Sequence, residues 1–241
     1  MDKKRDIIIV KTSEALAEKG ASLFSEMALA STAEKDRFTV ALSGGSTPRK
    51  MHVMFGQDPY RSSIPWNGVH LFWGDERCVP ETSRWSNYGL AKGDFLERLD
   101  IPVENIHPMP GHLPPEEGAS LYEKEITGGF DLVFLGLGSD GHTASLFPGH
   151  TALEERRRWV VAVRGGRPDV HRLTMTLPLI NRAEKVVFLV SGAEKAEVVK
   201  SILEDGNSDL PAGRVSPVSG TLLWVLDWEA ASLLKKETAR G

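Results

Sequence analysis

The chain has 241 residues, with 29 Lys and Arg against 33 Asp and Glu, a formal net charge of -4, and 41% hydrophobic and 26% charged residues. This balance belongs to a folded soluble protein and leaves no basic face for a nucleic-acid partner. The one cysteine, Cys78, excludes an internal disulfide and a multi-cysteine metal site, and it fits a reducing compartment.

Near the N-terminus, DIIIV (6–10) reads as a strand. Its run of four apolar residues is too short for a signal-peptide core or a membrane span, so a cytoplasmic protein without membrane attachment is expected. A helical period follows over 12–31, where Thr12 or Ser13 can cap and Leu16, Leu23, Met27 and Ala30 share one face. FTVAL (38–42) is a strand that runs into Ser43-Gly44-Gly45-Ser46-Thr47-Pro48 and the helical RKMHVMF, and VHLFW (69–73) is a strand that runs into GDER. The Pro-rich segment 101–115 is a connection, and PEEGASLYEKEI (115–126) is a helix. DLVFL (131–135) leads into GLGSDGHTASLFPGH (136–150). Arg156, Arg157 and Arg158, preceded by two glutamates, read as a solvated helix end. WVVAV (159–163) and KVVFLV (185–190) are further strands, HRLTMT (171–176) alternates apolar and polar residues, and SGAEK (191–195) opens a helix over 193–204 before the strand LLWVL (222–226). Short apolar runs alternating with helical segments predict one three-layer α/β domain, residues 1–241, around a mostly parallel sheet.

In such sheets ligands bind outside the carboxyl ends of the strands, so the four polar loops after 42, 73, 135 and 190 are expected on one rim. Ser43 to Thr47 offer backbone N–H groups and hydroxyls to an anion, with Pro48 suited to the first helical position; a phosphate cradle and a capped tight turn both fit. Asp75 and Arg77 are either a structural ion pair or, on the same rim, a group that accepts sugar hydroxyls beside a fork for phosphate, with Asn87 downstream. Arg172 and Lys195 add candidate cations.

Gly136, Gly138 and Gly141 spell G-x-G-x-x-G, but Pro148-Gly149 cuts off any helix beginning near Gly141 within about two turns, which argues against a dinucleotide turn. Asp140-Gly141-His142 instead sets a carboxylate beside an imidazole that can take a proton from water and return it to a leaving group. A zinc site from Asp140, His142 and His150 fits no common ligand spacing.

The loops SGGSTP, WGDER, SNY, GLGSDGHTASLFPGH, RLT and SGAEK, in this order, resemble the 6-phosphogluconolactonase family over about residues 10–227. That resemblance implies a Rossmann-like α/β/α fold of the glucosamine-6-phosphate deaminase and ribose-5-phosphate isomerase type. It implies hydrolysis of 6-phospho-D-glucono-1,5-lactone to 6-phospho-D-gluconate without metal or cofactor, by a chain expected to be monomeric. His142 is then the general base and Asp140 its orienting partner. Ser43, Gly44, Gly45, Ser46 and Thr47 with Arg77, Arg172 and Lys195 hold phosphate, and Asp75 and Asn87 lie near sugar hydroxyls. The deaminases of the same superfamily resemble DGHIAFNEPG, with a glutamate where this chain has Phe147, so a deaminase or isomerase is the alternative.

Overall fold

The computed structural model describes residues 5–238. Ten strands form: β1 (Arg5–Val10), β2 (Phe38–Leu42), β3 (Val69–Trp73), β4 (Asp75–Arg77), β5 (Ile106–His107), β6 (Leu132–Leu135), β7 (Val160–Gly165), β8 (Val170–Met175), β9 (Lys185–Val190) and β10 (Thr221–Asp227). The α-helices are α1 (Ser13–Lys35), α2 (Ser46–Phe55), α3 (Tyr60–Ser63), α4 (Asn87–Asp94), α5 (Pro115–Glu125), α6 (Leu177–Ile180) and α7 (Ala196–Leu203). Among the described residues no helix is long and apolar enough to cross a membrane.

Seven strands make one parallel sheet in the order β1-β10-β9-β6-β2-β3-β5, the Rossmann-like α/β arrangement. Its central strands are apolar throughout because both faces are covered: every residue of β6 is buried, as is every residue of β9 after Lys185. From β2 the chain builds outward through β3 to β5. It then returns to β6 on the other side of β2 and builds outward again through β9 to β10. The direction of construction therefore reverses between β2 and β6, and a crevice opens above that pair. At the opposite end of the pair, the buried Asp131 carboxylate accepts the Thr39 N–H at 2.6 Å and the Thr39 hydroxyl at 2.9 Å and takes an ion pair from Lys35, fixing how β2 and β6 start.

The remaining strands β4, β8 and β7 form a separate antiparallel sheet. This corrects the expectation for WVVAV, which pairs with HRLTMT instead of joining the parallel sheet. Only four residues separate β7 from β8, enough for a hairpin and far too few for the crossover a parallel neighbour needs. Helix α1 is capped by Thr12, whose side chain accepts the Ala15 N–H, but its buried face is Leu16, Ala17, Gly20, Leu23, Phe24 and Ala28. Ala30, expected on that face, is exposed. The three consecutive arginines follow a short 3-10 turn (Thr151–Glu154), and the Glu155 carboxylate accepts the N–H of each.

In α2, His52 is buried against Phe55 and Phe95, with ring centroids 6.1 and 5.5 Å away. Burial, with the Arg49 charge, pushes its pKa down to about 4 against the opposing pull of Asp94. The folded protein therefore keeps this imidazole neutral, while the unfolded chain takes up its proton near pH 6.5. Stability from this group is present above 6.5 and is lost as pH falls toward 4. Urea unfolding at pH 7 and pH 5 should show a stability loss that is smaller by about 2 kcal/mol in His52→Phe than in the wild type, the remainder coming from groups such as His70, which burial also lowers to about 4; an unchanged pH dependence in that variant would contradict the assignment.

Candidate active site

Above the β2–β6 crevice, the loop after β2 enters helix α2 through Gly45, whose φ of 106° only glycine adopts readily. Ser46 is the first helical residue, so Pro48 stands third and not first, and the helix has no side-chain cap. The amides of its first turn are left to whatever fills the cleft, a cavity of about 260 Å³ with Ser43 to Pro48 along one wall.

Behind that loop lies Asn87, the first residue of α4 and only 3% exposed. Its Nδ2 donates to the Asp75 carbonyl at 2.8 Å and the Asp75 carboxylate at 3.2 Å, while its Oδ1 has no protein partner. A Cβ on Gly44 would come within 1.9 Å of that oxygen. Asn87 therefore backs the cradle and is not among the residues that line the cleft. A glycine is required at 44 to let the two meet.

Asp75 touches the cleft but is largely occupied. Its carboxylate accepts the Ser145 hydroxyl at 2.5 Å as well as Asn87, and the Arg172 guanidinium stands 3.8 Å away. Its neighbour Glu76 is buried and accepts the N–H groups of Arg77, Asn87 and Tyr88 and the Ser86 hydroxyl. Burial raises the Glu76 carboxyl against the pull of these donors. Arg77 lines the cleft and donates Nη1 to the Trp85 carbonyl at 2.7 Å, while its Nε is buried without a partner among the described residues. Arg172 is buried, and burial lowers its pKa against the attraction of Asp75. It donates Nε to the Gly165 carbonyl at 2.8 Å and Nη2 to the carbonyls of Arg167 and Pro168 at 3.3 Å, so it clamps the β7–β8 turn while it lines the cleft.

From residue 136 to 150 no helix forms, which removes the dinucleotide reading. The Gly138 N–H donates to the His142 carbonyl at 2.8 Å and the Gly141 N–H to the Gly138 carbonyl at 3.0 Å, closing a tight loop. Asp140 Oδ1 lies 2.5 Å from His142 Nδ1 and accepts the His142 backbone N–H at 3.1 Å. Burial raises the Asp140 carboxyl, but these hydrogen bonds outweigh it and hold the group below the usual carboxylate range. A charged acceptor at Nδ1 places the ring hydrogen there and leaves the Nε2 lone pair available. Phe147 packs 5.2 Å from the imidazole, and the Arg172 guanidinium lies over the Phe147 ring at 5.7 Å. His150 turns away: its Nδ1 accepts the Ala152 N–H, and among the described residues no group of three or more His, Cys, Asp or Glu could hold a metal ion.

Across the cleft, Ser191 and Gly192 bond to the Asp227 carboxylate and fix the loop after β9. Lys195, expected in the first turn of a helix over 193–204, instead ends a 3-10 turn (Ala193–Lys195) one position before α7, and it reaches the cleft wall without a salt bridge among the described residues. The four loops thus meet on one rim.

A family model described as glucosamine-6-phosphate isomerases/6-phosphogluconolactonase matches residues 11–224. The chain belongs to this family. Among its 6-phosphogluconolactonase relatives, the protein of Synechocystis sp. is 40% identical over 244 residues, covering 95% of this chain and 98% of the relative. The solved structure of 6-phosphogluconolactonase from Trypanosoma brucei superposes with a TM-score of 0.87 at 31% identity, covering 97% of this chain and all of that one. A monomeric glucosamine-6-phosphate deaminase reaches a TM-score of 0.82 at 22% identity over 95% of this chain and 99% of that one, a likeness of fold alone.

Within this 6-phosphogluconolactonase-like site, sequence reasoning missed Ser145, which joins the His142 loop to Asp75, and Gly165-Gly166, which press on Phe147 and Arg172. The Gly-Gly pair between two alternating runs was the available hairpin signal. Two of the site glycines are sterically required: a Cβ on Gly44 would meet Asn87, and one on Gly138 would sit 2.0 Å from His142 Nδ1. Gly93, exposed in α4, would meet nothing within 4 Å. Gly44→Ala and Gly138→Ala should each cost about 1–3 kcal/mol in urea unfolding. Gly93→Ala should gain about 0.5–1 kcal/mol. Equal effects at all three positions would contradict the packing described.

Proposed function

We propose that this chain, acting as one domain, hydrolyses 6-phospho-D-glucono-1,5-lactone to 6-phospho-D-gluconate in the oxidative pentose phosphate pathway. The observation that carries the reading is His142, held through Nδ1 by a charged Asp140 with Nε2 unpaired, on the wall of a cleft whose far end is a helix N-terminus and Lys195.

In this reading the substrate phosphate rests against Ser43 to Thr47 and the uncapped start of α2, with Lys195 as its nearest mobile cation. Arg77 extends the positive wall toward the sugar. Asp75 keeps the cradle and the His142 loop in register through Asn87 and Ser145. Water attacks the C1 carbonyl as Nε2 takes its proton, and a tetrahedral oxyanion forms. When the bond from C1 to the ring oxygen breaks, the imidazolium returns the proton to that oxygen, and the free acid ionises to a carboxylate. Asp140 stabilises the imidazolium without leaving its charged form.

The deaminase alternative needs an acid at the position of Phe147, and a phenyl ring holds no transferable proton. The cytoplasm is the compartment this reading favours, since the single cysteine, Cys78, leaves the chain without an internal disulfide.

Proton release on addition of freshly generated lactone measures the reaction. His142→Ala should lower kcat by about 10²–10⁴-fold, and equal rates would remove His142 from the mechanism. Lys195→Ala should raise KM for the phosphorylated lactone by about tenfold and leave glucono-1,5-lactone unaffected, whereas an equal loss on both would place the phosphate elsewhere. Ammonia release from glucosamine 6-phosphate should be absent.

A further inference from the structure

A second cavity of about 910 Å³ opens on the other side of His142 from the phosphate cradle. Arg77, His142 and Arg172 belong to both cavities, while Asp140, Arg164 and Arg167 line only this one. Resting on the lactonase reading, we infer that this basin is a carboxylate subsite for the ring-opened product, with Arg167 as the residue that reads the charge.

The chemistry of the reaction demands an acceptor of this kind. A lactone presents a neutral ester carbonyl at C1, and its hydrolysis leaves a carboxylate on the same carbon, beside the imidazole that activated the water. The cyclic substrate is compact, but the opened chain extends, and its carboxylate end moves away from the phosphate. The cradle anchors the phosphate, so the new charge is displaced past His142 into the basin. Asp140 stands there as an anion held below the usual carboxylate range and repels it. A fixed cation on the facing wall offsets that repulsion.

The β7–β8 turn is built to hold such a cation in place. A Cβ on Gly166 would come within 2.9 Å of the Phe147 ring and 2.7 Å of an Arg172 nitrogen, so the tip lies directly on the Phe147 and Arg172 stack that abuts His142. Arg172 is 4% exposed and clamps the carbonyls of Gly165, Arg167 and Pro168. Its Nε and Nη2 are spent on the turn, and its Nη1 is turned to the Ser145 hydroxyl at 3.4 Å and to the Asp75 carboxylate at 3.8 Å. Arg164 is half-neutralised by Asp169 at 3.5 Å. Arg167 has no salt bridge among the described residues, and its exposed side chain lines the basin from a backbone fixed by the clamp.

Calorimetric titration of the intact protein with 6-phosphogluconate and with glucitol 6-phosphate, which carries a hydroxymethyl group in place of the carboxylate, isolates this contact. Arg167→Ala and Arg167→Gln should weaken 6-phosphogluconate by about tenfold and leave glucitol 6-phosphate unchanged. Equal weakening of both ligands, no weakening of either, or a wild type that binds the two alike would overturn the subsite. The lactonase reading is tested separately by proton release from the lactone, so a protein that hydrolyses the lactone but shows no carboxylate discrimination retains the function and loses only this subsite.

Discussion

The reversal of strand order between β2 and β6 is the constraint on which the site depends, and one buried carboxylate holds it. Asp131, the residue just before β6, takes the N–H of Thr39, the second residue of β2, together with the Thr39 hydroxyl and Lys35. An ionised group 4% exposed is tolerated only because three donors surround it. With the starts of the two strands fixed together, their ends are fixed too. The cradle after Leu42 and the Asp140–His142 loop after Leu135 must then stand side by side, although Leu42 and Gly136 are 94 positions apart in the chain. Neither loop could build the crevice alone.

A second pair of carboxylates turns that adjacency into a working geometry. Asp75 and Glu76 are neighbours on β4, and strand alternation sends them to opposite sides. Glu76 goes to the start of α4, where it collects two helix N–H groups and the Ser86 hydroxyl. Asp75 goes to the crevice, where it collects Asn87, Ser145 and the field of Arg172. Through Asn87 it touches the cradle, through Ser145 the His142 loop, and through Arg172 the β7–β8 turn. The small antiparallel sheet therefore braces all three walls. Burying charge costs free energy, and here that cost is met by a network in which each partner is itself fixed by backbone.

Much of this was legible in the sequence because parallel strands covered on both faces are written as apolar runs. FTVAL, VHLFW and KVVFLV form strands with the expected bounds, and the loops after them gather on one rim as the topology of such sheets requires. The Thr12 cap and the His142 loop were legible for a similar reason, since each is a local arrangement. The antiparallel sheet was harder to see: β4 has three residues, and the apolar run of β7 reads like any strand of the parallel sheet, so only the short turn to the partly exposed β8 marks it as half of a hairpin. The roles of Asn87 and Arg172 lay further out of reach. Whether an amide faces a sugar or supports a glycine depends on contacts such as Ser145 to Asp75, 70 residues apart, and no local period encodes them.

Phe147 shows how one residue can separate two chemistries on a shared fold. An acid at this position would lie beside His142 and Arg172, and its charge would pair with the guanidinium that now clamps the β7–β8 turn. The phenyl ring instead fills the space between imidazole and guanidinium with apolar area, 5.2 Å from one and 5.7 Å from the other. It accepts no proton, so His142 has Asp140 as its only carboxylate partner and Nε2 as its only open nitrogen. It also offers Arg172 its π face beside the Asp75 counter-ion, and Nε and Nη2 of Arg172 remain for the carbonyls of the turn. A single base facing water, with no second acid to move protons along a sugar chain, is suited to adding water to a carbonyl. The same phenyl ring packs against Gly165 and Gly166 in the loop that carries Arg167.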